Sequence, residues 1–248
     1  MKTHIKVIIT TYERPTMLLN LLKSIRKNTS SNLDIHLMIF DDCSVADYSK
    51  VFNYLDKFYS NKANFFKLNE HQGKKGYWKI INYAYSLLKN QKFNYVIQLP
   101  DDIRLDVDFF NKAKQLYNQI MDPNKVVLNL LTETSRMFKP MWTRYCPHLV
   151  KYGNNEFVKT GWLDMCFIAT QDFFKILKYE IPGVNEHFAK TKGKSSGVGM
   201  YISQTIFKSG ASMYQVPKSL VFHGKHKSQM HTELRKKEPL ITNNYDKK

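Results

Sequence analysis

Four short polar clusters each follow a compact apolar run, and they carry the side chains best suited to chemistry. Thr10-Thr11-Tyr12-Glu13-Arg14-Pro15 closes the first run, Asp41-Asp42-Cys43-Ser44 the second and Asp101-Asp102, after Pro100, a third. Near the C-terminus His223-Gly224-Lys225-His226-Lys227 follows Ser219–Phe222. Adjacent carboxylates can hold a divalent cation or accept hydrogen bonds from a ligand, and they serve equally well as turn and helix caps. A neutral imidazole suits a borderline cation, and of the two histidines here His223 stands at the strand end, with His226 the second candidate. Lys74 and Lys75, between Gly73 and Gly76, can reach phosphates or form a solvated basic turn. Asp164 follows the aromatic Trp162 and is a further isolated acid.

The elements that must position these residues alternate. Residues 5–10 and 34–40 are β-branched or apolar, and each is followed by a segment with helical spacing: Leu18, Leu19, Leu22 and Ile25, then Tyr48 to Tyr59. Asn64–Leu68 predicts a third strand, Gly73–Gly76 a loop, Trp78–Asn90 a helix and Tyr95–Leu99 a fourth strand stopped by proline. A helix over Val107–Met121 and a strand over Val126–Leu131 follow. Further on, Met137–Gly153 reads as aromatic-rich and irregular, Trp162–Thr170 as a strand, and Gly183–Gly197 as a mobile loop. Val198–Ser209 reads as a helix and Ser219–His223 as the last strand. Strands alternating with helices predict one α/β domain, a mostly parallel sheet flanked by helices. In such sheets ligands sit beyond the carboxyl ends of the strands, where the polar clusters fall.

Composition narrows the class. The 248 residues are 43% hydrophobic and 14% aromatic, too apolar for a disordered chain. No stretch approaches the roughly 20 apolar residues of a membrane span, and no signal-peptide pattern opens the chain, so a cytoplasmic protein is expected. Three widely spaced cysteines, Cys43, Cys146 and Cys166, form no C-x-x-C pair and are expected to be reduced.

The motifs resemble those of GT-A glycosyltransferases, glycosyltransferase family 2 above all, most clearly over residues 5–110. Thr10–Pro15 is similar to the family's Pro-Thr-Tyr-Asn-Arg loop, with threonine for its proline and glutamate for its asparagine. Ile39–Ser44 is similar to Val-Val-Asp-Asp-Gly-Ser, and Asn69–Tyr83 resembles the Gly-containing loop and helix that follow. The resemblance implies a GT-A (Rossmann-like) catalytic domain, with residues 1–110 the nucleotide-sugar half, 111–230 the acceptor half and 231–248 a basic tail. It implies a nucleotide-sugar donor, UDP-sugar by family default, and Mn²⁺ or Mg²⁺. Asp102 takes the position of a D-x-D metal ligand, Asp101 contacts ribose or a metal-bound water, and Tyr12 flanks the base. Asp41 or Asp42 accepts hydrogen bonds from base or ribose, while Thr10, Glu13, Arg14 and Lys75 complete the donor site. The C-terminal segment resembles a Ser-Leu-Val-x-His ending, which gives His223 the metal and Lys225 the diphosphate. Inverting members use an acidic pair at the start of the last helix, yet here that segment reads Ser195-Ser196-Gly197-Val198-Gly199. The base then falls to Asp164, with Glu186 the other candidate, or a retaining mechanism needs none.

Charge widens the expectation. With 38 Lys+Arg against 21 Asp+Glu, the formal net charge is +17, and a field of that sign attracts polyanions. A hydroxymethylated base in viral or phage DNA is the leading acceptor, for which Lys190–Lys194, Arg235–Lys237, Phe138, Trp142 and Tyr145 are available. A lipid-linked glycan at an anionic membrane surface, with peripheral attachment, is the alternative. Readings from other classes are a non-catalytic nucleic-acid-binding protein and a nucleotidyltransferase.

Overall fold

The computed structural model describes residues 2–132, 147–163, 165–184 and 196–223. Its first half repeats one unit: β1 (Thr3–Thr11), α1 (Pro15–Asn28), β2 (Leu33–Asp41), α2 (Ser49–Tyr59) and β3 (Ala63–Lys67). Next come α3 (Gly73–Ser86), β4 (Tyr95–Pro100), β5 (Ile103–Leu105), α4 (Phe109–Gln119) and β6 (Lys125–Asn129). The second half contains β7 (His148–Tyr152), β8 (Asn155–Thr160), β9 (Phe167–Ala169), α5 (Gln171–Ile176), α6 (Val198–Lys208), β10 (Ser212–Gln215) and β11 (Val221–His223). Pro15 opens α1, where its missing N–H costs nothing and its fixed φ suits the first turn.

Nine strands form one sheet in the order β3-β2-β1-β4-β9-β6-β10-β8-β7. Only β8 and β9 run against the rest, so seven of the nine strands point one way, as the alternating pattern requires. The sheet is buried on both faces. One face packs Ile5, Val7 and Ile9 of β1 against Leu18, Leu22, Val51, Phe109 and Phe110 from α1, α2 and α4. The other packs Ile8, Val96 and Phe167 against Ile81, Tyr85, Phe173 and Ile202 from α3, α5 and α6. The chain leaves β1 toward β2 and β3, then crosses to β4 on the other side, so the strand order reverses between β1 and β4. That reversal opens a crevice beyond the strand ends.

Two registers bring the polar clusters level. Thr11 pairs with Asp41 across β1 and β2, and Thr10 with Pro100 across β1 and β4. A separate antiparallel ribbon pairs β5 with β11, setting His223 opposite Ile103 and so beside Asp102.

Several local expectations are corrected. Gly73–Gly76 is not a loop but the first turn of α3, which ends at Ser86. The cap of that helix comes from the remote end of β2 and is invisible in the local sequence. His148–Tyr152, expected to be irregular, is the edge strand β7, joined to β8 by the two residues Gly153-Asn154. Gly153 has φ of +58°, the left-handed conformation that a two-residue hairpin with glycine first demands. Of Trp162–Thr170 only Phe167–Ala169 is a strand, and β5, β8 and β10 were not anticipated. Residues 137–146 and most of the Gly183–Gly197 segment lie outside the described residues.

The start of α6 docks on the Gly161–Leu163 turn. Asn129 Nδ2 donates to the Trp162 carbonyl (2.9 Å), Trp162 N–H to Thr160 Oγ1 (3.1 Å), and Leu163 N–H to Ser203 Oγ (2.8 Å). A Cβ on Gly199 would stand 2.6 Å from the Leu163 carbonyl oxygen, so only glycine allows this approach. Gly199→Ala is expected to lower unfolding free energy by about 1–3 kcal/mol, the usual cost of overpacking. Chemical denaturation would read it; an unchanged midpoint would mean that α6 docks elsewhere.

Candidate active site at the strand ends

Asp101 and Asp102, 5% and 8% exposed, stand in the crevice between β1 and β4. Two carboxylates buried side by side require donors, and β1 with its following loop supplies them. Thr11 Oγ1 donates to Asp101 Oδ2 (2.7 Å). Arg14 Nη1 reaches Asp101 Oδ1 (3.4 Å) and Asp102 Oδ2 (3.1 Å), with its side chain nearly as buried as theirs. Burial pushes the Asp101 carboxyl up to about 6; the Thr11 hydroxyl and Arg14 pull against it, and Asp102 adds to the rise.

His223 faces the same pair. Its Nδ1 is buried, makes no hydrogen bond among the described residues, and lies 3.4 Å from Asp102 Oδ1. Among the described residues no group of three or more His, Cys, Asp or Glu side chains could hold a metal ion. An unsatisfied imidazole nitrogen beside a carboxylate oxygen nonetheless fits a cation that draws its remaining ligands from a substrate. Two ligands at right angles on an octahedral ion, bonded at 2.0–2.1 Å, stand about 3 Å apart, and such ions are commonly bound by one or two carboxylates plus substrate phosphates. Asp102 and His223 would hold it.

The second cluster is hydrogen-bonded within the protein. Asp41 accepts the backbone N–H of Ser44 (3.0 Å) and the Ser44 hydroxyl, closing the turn after β2. Asp42 accepts the N–H groups of Gln72 (2.7 Å) and Gly73 (2.8 Å), and so caps α3 across the chain. Its Oδ2 also lies 3.0 Å from His71 Nδ1. Turn closure and helix capping thus engage both carboxylates within the folded chain. Glu13 is a fastener as well, since its carboxylate accepts the N–H groups of Val45 (2.5 Å) and Ala46 (3.2 Å) and its own N–H donates to Ser44 Oγ (2.7 Å). Thr10 Oγ1 meets the Tyr77 hydroxyl at 3.3 Å, and Lys75 is exposed on the first turn of α3.

Tyr12 is half-buried, and its ring stacks on His71 with centroids 4.0 Å apart and planes 20° from parallel. His71 thus joins this cluster, and the sequence alone does not single it out. The only signal was a histidine two residues before the glycine that opens α3. Asp164, Glu186, Lys225 and His226 lie outside the described residues, as do Phe138, Trp142, Tyr145, Lys190–Lys194 and Arg235–Lys237.

The comparisons with known proteins now bear on this geometry. Over 91% of its length the chain superposes on Staphylococcus aureus TarS 1–349, with TM-score 0.59 and 15% identity, covering 61% of that chain. GalNAc-T7, solved with UDP, GalNAc and Mn²⁺, matches over 90% of this chain and 44% of its own, with TM-score 0.63 and 14% identity. The mannosyltransferase PcManGT from Pyrobaculum calidifontis, solved with GDP-Man and Mn²⁺, matches over 89% and 56%, with TM-score 0.56 and 11% identity. The chain has the GT-A glycosyltransferase fold. It spans well under two thirds of the length of each of these neighbours. No protein-family model and no curated protein sequence matches it. No helix among the described residues is long and apolar enough to cross a membrane.

Two of the departures from the resembled motifs fall on left-handed backbone. Glu13, where the motif has asparagine, has φ of +54°, and Cys43, where it has glycine, has φ of +63°. Left-handed backbone suits glycine and asparagine and costs other residues about 1 kcal/mol or more. Cys43→Gly is accordingly expected to raise unfolding free energy by about 1 kcal/mol; a loss instead would show that the thiol packs usefully.

Asp101 supplies a pH test without added metal. Its folded pKa of about 6 exceeds the unfolded value of about 3.9, so the folded state binds the extra proton and stability falls as pH rises from about 4 through 6. Asp101→Asn should abolish that decline, which is on the order of 3 kcal/mol. An equal decline in the variant would assign it to another group.

Proposed function

We propose that the chain is a nucleotide-sugar-dependent, metal-assisted glycosyltransferase. The observation that carries this reading is the unsatisfied His223 Nδ1 facing Asp102 in the crevice between β1 and β4. Its support is that structural neighbours of this fold were solved with UDP and Mn²⁺ or with GDP-Man and Mn²⁺. A UDP-sugar is the first donor to try, because TarS 1–349 was solved with UDP-GlcNAc.

The chain's own groups divide the work. Thr11 and Arg14 fix the two carboxylates in orientation and partly offset their charge. Asp102 and His223 hold the cation, and Asp101 orients a ribose hydroxyl or a water. A bound divalent cation neutralises charge that builds on a departing diphosphate. Lys75, exposed on the first turn of α3, and Lys225 are the lysines this reading assigns to the phosphates. No acid stands in the first turn of α6, so the base role goes to Asp164, which follows the turn clamped by Asn129, Thr160 and Ser203. Residues 1–110 are the donor half and 111–230 the acceptor half. The excess of positive charge favours a polyanionic acceptor.

Turnover of UDP- and GDP-sugars with Mn²⁺ tests this, with hydroxymethylated DNA and anionic vesicles carrying a lipid-linked glycan as separate acceptor arms. Asp102→Asn and His223→Ala are each expected to cut turnover at least about a hundredfold, with both proteins folded. Undiminished turnover in chelator would remove the metal from the account, and pyrophosphate release from a nucleoside triphosphate would replace sugar transfer with nucleotidyl transfer.

A further inference from the structure

We infer that His71, rather than Tyr12 or Asp42, is the surface on which the donor nucleobase rests; this deepens the proposed function and rests on it. Tyr12 has one ring face already covered, by an imidazole 4.0 Å away and nearly parallel. Asp42 is 6% exposed and has its oxygens engaged by Gln72, Gly73 and His71. The ring outermost in this arrangement is His71, whose side chain is 46% exposed.

The imidazole is held from several directions. Its Nδ1 lies 3.0 Å from Asp42 Oδ2 and 3.2 Å from the Asp42 carbonyl oxygen, both acceptors, which assigns the neutral ring's proton to Nδ1. Tyr12 backs one face. Gly73, at φ +55°, leaves room beside Nε2, where a Cβ would stand at 3.1 Å. An aromatic ring fixed by a carboxylate, backed by a second ring and left half-open beside the loops that follow β1 and β2 is a preorganised stacking surface. Stacking accepts any base, so this surface recognises a nucleoside diphosphate through its base while the carboxylate pair and His223 serve the diphosphate end. Asp42 acts through His71 and is a positioning residue.

Calorimetric titration of the full chain with Mn²⁺ plus UDP, GDP or pyrophosphate separates the possibilities. His71→Ala is expected to weaken the better-bound nucleotide about tenfold, His71→Phe to stay within about threefold of wild type, and pyrophosphate to bind all three equally. Asp42→Asn should weaken the nucleotide in wild type and have little further effect in His71→Ala. Nucleotide binding that is unchanged or tighter in His71→Ala would overturn the inference, the tighter case making His71 a plug. An equal loss of pyrophosphate and nucleotide would overturn it too, by making the role structural. Wild-type binding of pyrophosphate without any nucleotide preference would end the stacking surface but spare the diphosphate site; binding of none of the three would end both.

Discussion

Two neighbouring carboxylates at the end of a buried strand are a liability in any fold, and much of this structure is arranged around that fact. Asp101 and Asp102 leave water almost completely, and each needs donors and opposite charge. Thr11 at the end of β1 and Arg14 in the loop after it provide them, so β1 must end level with β4, as the Thr10–Pro100 register ensures. The compensation is incomplete. Asp101 is still pushed up to about 6, and His223 Nδ1 is buried with no hydrogen-bond partner among the described residues. A site held partly unsatisfied is one in which a cation and a diphosphate can complete what the protein alone does not.

A second layer holds the first. Asp41, Ser44, Glu13 and Tyr48 knit the loops after β1 and β2 together: the Tyr48 hydroxyl meets Thr11 Oγ1 at 3.2 Å and Ser44 Oγ at 3.3 Å, and the Arg14 N–H donates to it at 3.3 Å. Asp42 extends the same network to the start of α3 and to the Tyr12–His71 stack. The left-handed backbone at Glu13 and Cys43 shows that this network outweighs local preference. Left-handed backbone at these two residues costs stability, yet the turns they form keep Arg14 aimed at the carboxylates.

The first half of the fold was largely legible in the sequence because its signals are local. Compact β-branched runs, helical spacing and polar clusters at run ends marked β1 to β4, and the resemblance located the carboxylates and His223. What stayed hidden depends on partners distant in sequence. The cap of α3 comes from Asp42, so Gly73–Gly76 looked like a loop. His71 gains its meaning only when Tyr12 is brought beside it. Strand β5 has three residues and exists through pairing with β11, and β7 is a short, exposed edge strand. The Gly153-Asn154 pair between two short runs was a readable hairpin signal that the aromatic composition around it obscured.

The central claim is that Asp102 and His223 jointly hold a cation when a diphosphate is present. A crystal structure with UDP and Mn²⁺, with data collected for the anomalous signal of manganese, tests it most directly. The account predicts a single strong peak bonded to Asp102 Oδ1 and His223 Nδ1, with Arg14 still on Asp102 Oδ2. UDP bound in the crevice with no manganese between these two residues would contradict it.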